Sequence, residues 1–186
     1  MRSFFVISAI GKDRPGIVAD VTELIFECGC NLEDSSMTLL GDHFALLILL
    51  SGQGEDLPER LQRGCKRLEW DKGLTVFLSV MQEQIPIHGL HPEPDYEVRV
   101  VGLDRAGIVY RTSKLLASKG INITNLHTHV EPAPTTGSPV FTMVMEVSVP
   151  QEMDRKALRK DLEGLAEELQ VEISLTKLPS PDHTSR

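Results

Sequence analysis

The chain has 186 residues, 41% hydrophobic and 25% charged, with a formal net charge of −8 and three cysteines. The length fits one medium domain or two small ones, and the mix is that of an ordinary globular protein. The acidic excess excludes a phosphate-gripping nucleic-acid binder, the absence of any run of about 18 apolar residues excludes a helical membrane span, and an odd, scattered set of cysteines argues against a disulfide framework. The opening Met1-Arg2-Ser3-Phe4 lacks the layout of a secretory signal, so the expected location is the cytoplasm.

In chain order, Ser3 to Ile10 is a short apolar run rich in β-formers and predicts a strand. Asp13, Arg14 and Pro15 then read as a helix start, with a capping-type side chain and a proline in the first turn. Ile17, Val21, Leu24, Ile25 and Cys28 recur at helical spacing and define one buried face, which Gly29 ends. Asn31 to Leu40 predicts a strand, Gly41-Asp42 a tight turn and His43 to Ser51 the hairpin partner. Leu57, Leu61, Cys65 and Leu68 mark a second helix, and Leu74 to Val80 a closing strand.

The same order then repeats. At an offset of 91 residues, Gly11, Asp13, Arg14, Gly16, Ile17, Val18, Leu24, Gly29 and Asn31 fall on Gly102, Asp104, Arg105, Gly107, Ile108, Val109, Leu115, Gly120 and Asn122 without a gap. Farther along the offset is 97, so the second copy carries six extra residues, and the Pro/Gly/Thr-rich stretch 131–139 is where they belong. The second copy predicts strands or helices at Tyr96–Gly102, Ile108–Lys119, Ile121–Val130, Val140–Val149, Met153–Leu169 and Val171–Leu178. The expected fold class is α+β: two tandem ferredoxin-like βαββαβ modules, each a four-stranded antiparallel sheet with two helices on one face. The expected boundaries are 1–81 and 95–178, with a proline-bearing linker at 82–94 and a flexible tail at 179–186.

Fold alone does not name a function, so the repeated loop must carry the argument. A strand that ends in a glycine turn and enters a helix leaves backbone N–H donors unpaired, and with the helix dipole these favour a carboxylate. Gly16 and Gly107 allow close approach to the backbone; Asp13 and Asp104 can hold an ammonium group; Asn31 and Asn122 offer both donor and acceptor to a zwitterion. The candidate ligand residues are therefore Gly11, Asp13, Arg14, Pro15, Gly16, Ile17 and Asn31, with Gly102, Asp104, Arg105, Gly107, Ile108 and Asn122 in the second copy. The fuller Asp-Arg-Pro-Gly loop favours the first copy, since Ala106 replaces Pro15 in the second.

The segment Gly11-Lys12-Asp13-Arg14-Pro15-Gly16-Ile17-Val18 with Asn31, and its repeat, resembles the ACT domain, a regulatory module that binds amino acids. Two such modules with a longer hairpin loop in the second resemble the glycine-cleavage-system transcriptional repressor family. That resemblance implies a regulator that senses glycine or a similar small amino acid, contacts a DNA-binding activator protein rather than DNA, and forms a homodimer. It further implies that the asparagine of one module meets the first loop of a paired module. A non-catalytic regulatory subunit of an amino-acid or one-carbon enzyme is the alternative.

Other readings stay open beside this one. Asp-Arg-Pro-Gly before an apolar helix is also an ordinary helix start, and Gly-x-Asn an ordinary helix stop. His127 and His129 share one strand face but lack a third ligand at a usual spacing, and Cys28 and Cys30 lack the spacing of a redox or metal pair, so no metal or cofactor is expected. His88 and His91 belong to the linker. The loop from Pro132 to Pro139 is a candidate partner contact or a neutral insertion. No phosphate loop, Ser/His/Asp order or carboxylate pair supports an enzyme, and 5% aromatic content with net negative charge opposes an RNA-recognition module of this strand order.

Overall fold

The computed structural model describes residues 2–81, 93–134 and 137–179. The chain divides into two compact units, Met1–His88 and Gly89–Arg186. Most of the expected linker and of the expected tail, including His88 and His91, lies outside the described residues.

The first unit runs β1 (Arg2–Lys12), α1 (Ile17–Glu27), β2 (Asn31–Leu40), β3 (His43–Gln53), α2 (Leu57–Lys72) and β4 (Thr75–Met81). The second repeats it as β5 (Tyr96–Leu103), α3 (Ile108–Ser118), β6 (Asn122–Pro132), β7 (Pro139–Ser148), α4 (Arg155–Leu169) and β8 (Val171–Lys177). Each sheet is antiparallel with the order β2-β3-β1-β4 or β6-β7-β5-β8, the ferredoxin-like arrangement expected from the sequence. The edge strands are β2 and β4, and β6 and β8.

Strand alternation sets each core. In β1, Phe5, Ile7 and Ala9 are buried and their neighbours face the other way; Phe44, Leu46, Ile48 and Leu50 do the same in β3. Helices α1 and α2 close that face with Val21, Leu24, Ile25, Leu61, Cys65 and Leu68. The second core uses Val98, Val100, Met143, Met145 and Val147 under Ile108, Leu116, Leu158 and Leu162. Truncating one such side chain to alanine costs about 2–5 kcal/mol, so the apolar period alone commits the fold.

The six extra residues fall in the hairpin, as the composition of 131–139 indicates. Leu40 pairs with His43 across a two-residue turn, whereas Pro132 pairs with Pro139 across a longer loop whose Thr135 and Thr136 lie outside the described residues. Both edge hairpins also carry a bulge at the same repeat position, between Leu32 and Asp34 and between Ile123 and Asn125. All three cysteines are free.

Candidate functional site

The helix start differs from its expected form. Asp13 does not cap α1: the N-cap is Gly16, with φ +90°, and no side chain bonds to the first-turn N–H groups. Gly107 does the same for α3, with φ +98°. A left-handed N-cap is open to glycine because no Cβ meets the backbone there. It ends the preceding loop so sharply that Asp13 and Pro15 stand before the helix rather than in its first turn. Instead the Asp13 N–H donates to the Asp42 carbonyl at 2.8 Å, and the Asp104 N–H to the Pro139 carbonyl at 3.2 Å. Both loops are thus tied to the neighbouring hairpin by backbone, which leaves the two carboxylates unused by the cap.

Gly11 and Gly102 have a packing reason of their own. A Cβ on Gly11 would come within 2.8 Å of Leu74, and one on Gly102 within 2.6 Å of Val171. These glycines let the last strand of each module cross close to the first, whatever else the loop does.

The arginines are positioned differently in the two copies. Arg14 Nη2 donates to Asp20 Oδ2 at 2.6 Å, and Lys72 Nζ donates to Asp20 Oδ1 at 2.9 Å. The Lys72 ammonium and then the Arg14 guanidinium hold the Asp20 carboxyl below its usual range. Arg105 Nη1 instead donates to the neutral Gln170 Oε1 at 2.5 Å. Gln170 ends α4 and is the positive-φ residue other than glycine among the described residues, at φ 56°. The residue at the Asp20 position of the second copy is Arg111, which pairs with Glu168. So the first loop's arginine is neutralised and the second's is not.

Asn31 and Asn122 sit at the opposite end of their modules from the loops. Asn31 pairs with Ser51, near the start of β1, whereas Lys12 and Leu40 both pair with His43 beside the loop. The ten residues of β2 separate the two ends by about 30 Å at strand rise. No single module brings its asparagine to its own loop.

The asparagine ends also differ. Around Asn31, Arg2 Nε donates to Ser51 Oγ at 2.9 Å, and Glu33 accepts from both Arg2 and Ser51. Around Asn122 the equivalent positions are Glu93, Thr124 and Ser148, and a hollow of about 490 Å³ opens there, lined by Glu93, Asp95, Gly120, Asn122, Ser148 and Gln151. Asp95 Oδ1 accepts from the Val149 N–H at 2.8 Å, which fixes one wall.

Asp20, Gln170, Arg111, Glu33 and Asp95 line or border these ends but are not marked by identity between the two copies. Asp20 against Arg111 is a charge reversal at one repeat position, and that contrast is the sequence signal for these two alone. His127 and His129 do share the face away from the core, pairing with Val144 and Thr142, and His129 lies 2.9 Å from Glu131. Among the described residues no group of three His, Cys, Asp or Glu side chains is placed to hold a metal ion. None of their helices is long and apolar enough to cross a membrane.

Residues 3–79 match the family model of the ACT domain, and the second module repeats the element order and strand order of the first. The first module is an ACT domain, and the second has the same fold. It resembles the glycine cleavage system transcriptional repressor of Escherichia coli K12, with 27% identity over 181 residues that cover 97% of this chain and 93% of that protein. The crystal structure of an unknown protein from Galdieria sulphuraria is 30% identical, covering 96% of this chain and all of that one, with a TM-score of 0.74. A structure provisionally assigned as a glycine cleavage system transcriptional repressor, 24% identical over 97% of this chain and 99% of its own, has a TM-score of 0.72 and shows the same fold. Both modules lie within the span of these relatives.

Proposed function

We propose that this tandem ACT-domain protein is an amino-acid-sensing regulator of glycine cleavage. In this reading it acts on transcription through contact with a DNA-binding activator protein, without catalysis and without touching DNA itself. The observation that carries the reading is similarity along 97% of the chain to the Escherichia coli glycine cleavage system transcriptional repressor. The ligand is glycine or another small amino acid, and the working form is a homodimer.

The geometry supports a divided site. A loop half offers a glycine-capped helix N-terminus, with Arg105 close by on a neutral partner, and suits a carboxylate. An asparagine half offers Asn122 beside Glu93 and Asp95 in an open hollow, and suits an ammonium group. The second module favours ligand more than the first, because Asp20 neutralises Arg14 and the Arg2–Glu33–Ser51 cluster occupies the Asn31 end. The two halves of one site are contributed by two copies of the chain in the homodimer, since one module holds them about 30 Å apart. Ligand then biases module arrangement by its differential affinity, and the arrangement sets whether the activator contact forms.

Isothermal titration with glycine, serine and larger amino acids tests this. The expected result is saturable heat with a small amino acid, lost in Asn122→Ala and Arg105→Ala and retained in Arg14→Ala. No heat with any amino acid overturns the sensor reading. Recovery of nucleic acid rather than a regulator protein in a pull-down overturns the contact mechanism.

A further inference from the structure

The helix layers of the two modules differ where the fold does not require it. Among the described residues the two most exposed large apolar side chains both lie on the first layer: Phe26 of α1 is 83% exposed and Trp70 of α2 is 87% exposed. Both point away from the core that Val21, Leu24, Leu61 and Leu68 form on the other side of the same helices. Trp70 continues a line, since Arg60, Arg63, Arg67 and Trp70 recur at steps of three and four and share one face of α2. At the repeat positions the second module has Ala157, Lys160, Gly164 and Glu167, and Phe26 becomes Ala117. The second pair of helices packs on its sheet without those side chains, so packing does not account for them. Tryptophan and arginine are residues that protein interfaces concentrate.

The groove between the helices differs too. In the second module Lys119 and Asp161 form an ion pair that bridges α3 and α4. Cys28 and Gly64 stand at those positions in the first module, and a hollow of about 290 Å³ opens beside them, lined also by Leu24, Arg60, Arg63 and Arg67. A second hollow of about 240 Å³ continues toward the end of α2, lined by Glu23, Leu68, Asp71 and Lys72. Glu27 and Arg67 line both hollows and pair with each other. Arg60 donates to the Glu27 carbonyl and lies 4.0 Å from Asp56, while Lys72 and Arg14 pair with Asp20. Among the described residues Arg63 makes no ion pair, and neither do Glu23 and Asp71. The groove is therefore positive at Arg63 and negative at Glu23 and Asp71, with Arg63 and Asp71 about 12 Å apart along α2.

We propose that this groove is a docking surface for one helix of a partner protein. Charge complementarity sets what that helix carries: an acidic side chain against Arg63, a basic one about two turns away against Glu23 and Asp71, and apolar side chains between them on Phe26 and Trp70. A helix suits a trough between two helices, where it packs about 8–10 Å from each axis. A small anion suits it less. The positive end lies at the C-terminus of α1, whose carbonyls carry partial negative charge, and a lone anion leaves Phe26 and Trp70 uncovered. The proposal deepens the regulator reading by giving its protein contact a surface, and it rests on that reading for the identity of the partner alone.

Titration of the full chain with a helical peptide of about four turns tests it. The peptide carries glutamates in its first turn, lysines about two turns on, and leucines between them on the same face. Trp70, the single tryptophan, reads the contact: its emission in the free chain should be that of an exposed indole open to acrylamide, and the peptide should shift it to shorter wavelength and shield it. By calorimetry, Trp70→Ala should weaken binding by at least about 30-fold, the size of a central hot spot, with circular dichroism unchanged because the side chain is exposed. Arg63→Glu should weaken it by at least about fivefold, and a peptide with lysines in place of the glutamates should recover that loss. Glu167→Ala, at the Trp70 position of the second module, should change nothing. A Trp70 already shielded in the free chain overturns the proposal, because the chain then covers its own groove. So does a peptide that leaves Trp70 unmoved, or one that binds Trp70→Ala and Arg63→Glu as it binds the wild type. Saturable binding of inorganic phosphate, lost in Arg63→Glu, with no response to the peptide overturns it in favour of a small-anion site. A regulator protein recovered equally by the wild type and Trp70→Ala overturns this surface and leaves the regulator reading standing. Peptide binding at Trp70 with no amino-acid heat and no regulator recovered leaves this surface standing and removes that reading.

Discussion

Thr112 lies in α3 with no exposed surface, and its Oγ1 is buried without a hydrogen-bond partner among the described residues. The equivalent residue in the first module is Val21, also fully buried. Replacing Thr112 by valine exchanges an unpaired hydroxyl for a methyl of nearly the same shape. A buried unpaired polar group costs about 1–3 kcal/mol, and the β-branch keeps the same side-chain rotamer and helix propensity. The variant should therefore be more stable by about 1–2 kcal/mol, which for a module of this size raises its melting temperature by roughly 5–10 °C. The two modules can be followed separately, since Trp70, the single tryptophan, reports the first and both tyrosines, Tyr96 and Tyr110, lie in the second. The tyrosine signal should shift upward in Thr112→Val while the Trp70 transition stays where it was. A loss of stability would refute the reasoning, because it would mean the hydroxyl bonds to something, such as the carbonyl one helical turn back.

A Cβ on Gly64 would lie 1.9 Å from Leu24 Cδ1, so Gly64→Ala should destabilise the first module by about 1–2 kcal/mol despite its gain in helix propensity, with partial recovery in the double variant carrying Leu24→Val; urea titration of Trp70 fluorescence reads this directly. Burial pushes the Cys65 thiol up to about 11, above its usual range. The unfolded chain loses that proton first, so the thiol's contribution is complete below pH 9 and disappears as pH rises through 11, by about 3 kcal/mol in all. Urea midpoints from pH 7 to 11 should fall less steeply in Cys65→Ala than in the wild type. Asp20 has the opposite sign: its lowered pKa contributes stability above the usual carboxylate range that is lost as pH falls through the folded value. Asp20→Asn should therefore flatten the acid limb of the stability curve below about pH 4.

The fold was legible because its determinants are local and repeated. Period-3.6 apolar residues in α1 and α2, period-2 residues in β1 and β3, and the Gly41-Asp42 turn each point to one element, and their order admits one topology. The helix start departs from its local sequence signals at one point for a physical reason. Asp13 and Pro15 are good cap and first-turn residues, but Gly16 at positive φ takes the N-cap position itself. The true N-cap of α4, Asp154, which accepts from the Lys156 N–H at 2.8 Å, reads in sequence as one more charge on a solvated helix. Arg105–Gln170 and Arg111–Glu168 join residues that lie more than fifty positions apart, so no local pattern marks them.

Where the copies agree and where they differ separates structure from use. Gly16 and Gly107, Gly11 and Gly102, and the paired bulges agree because the fold requires a left-handed cap, a close strand crossing and a bent edge in each module. Three places differ, each in its own direction. At the helix start, Asp20 becomes Arg111, which turns a neutralised arginine into one facing a neutral partner. At the asparagine end, Arg2 and Glu33 become Glu93 and Thr124, which turns a filled corner into an open one with carboxylates. On the open sheet face, Val6, Ser8 and Phe77 become Glu97, Arg99 and Ser174, which turns an apolar surface into a solvated one. None of these changes touches a core residue, so selection for folding leaves all three free. The first two changes replace ion pairs of the first module, Arg14–Asp20 and Arg2–Glu33, with neutral or open surroundings in the second, and the third sets a charged sheet face against a more apolar one.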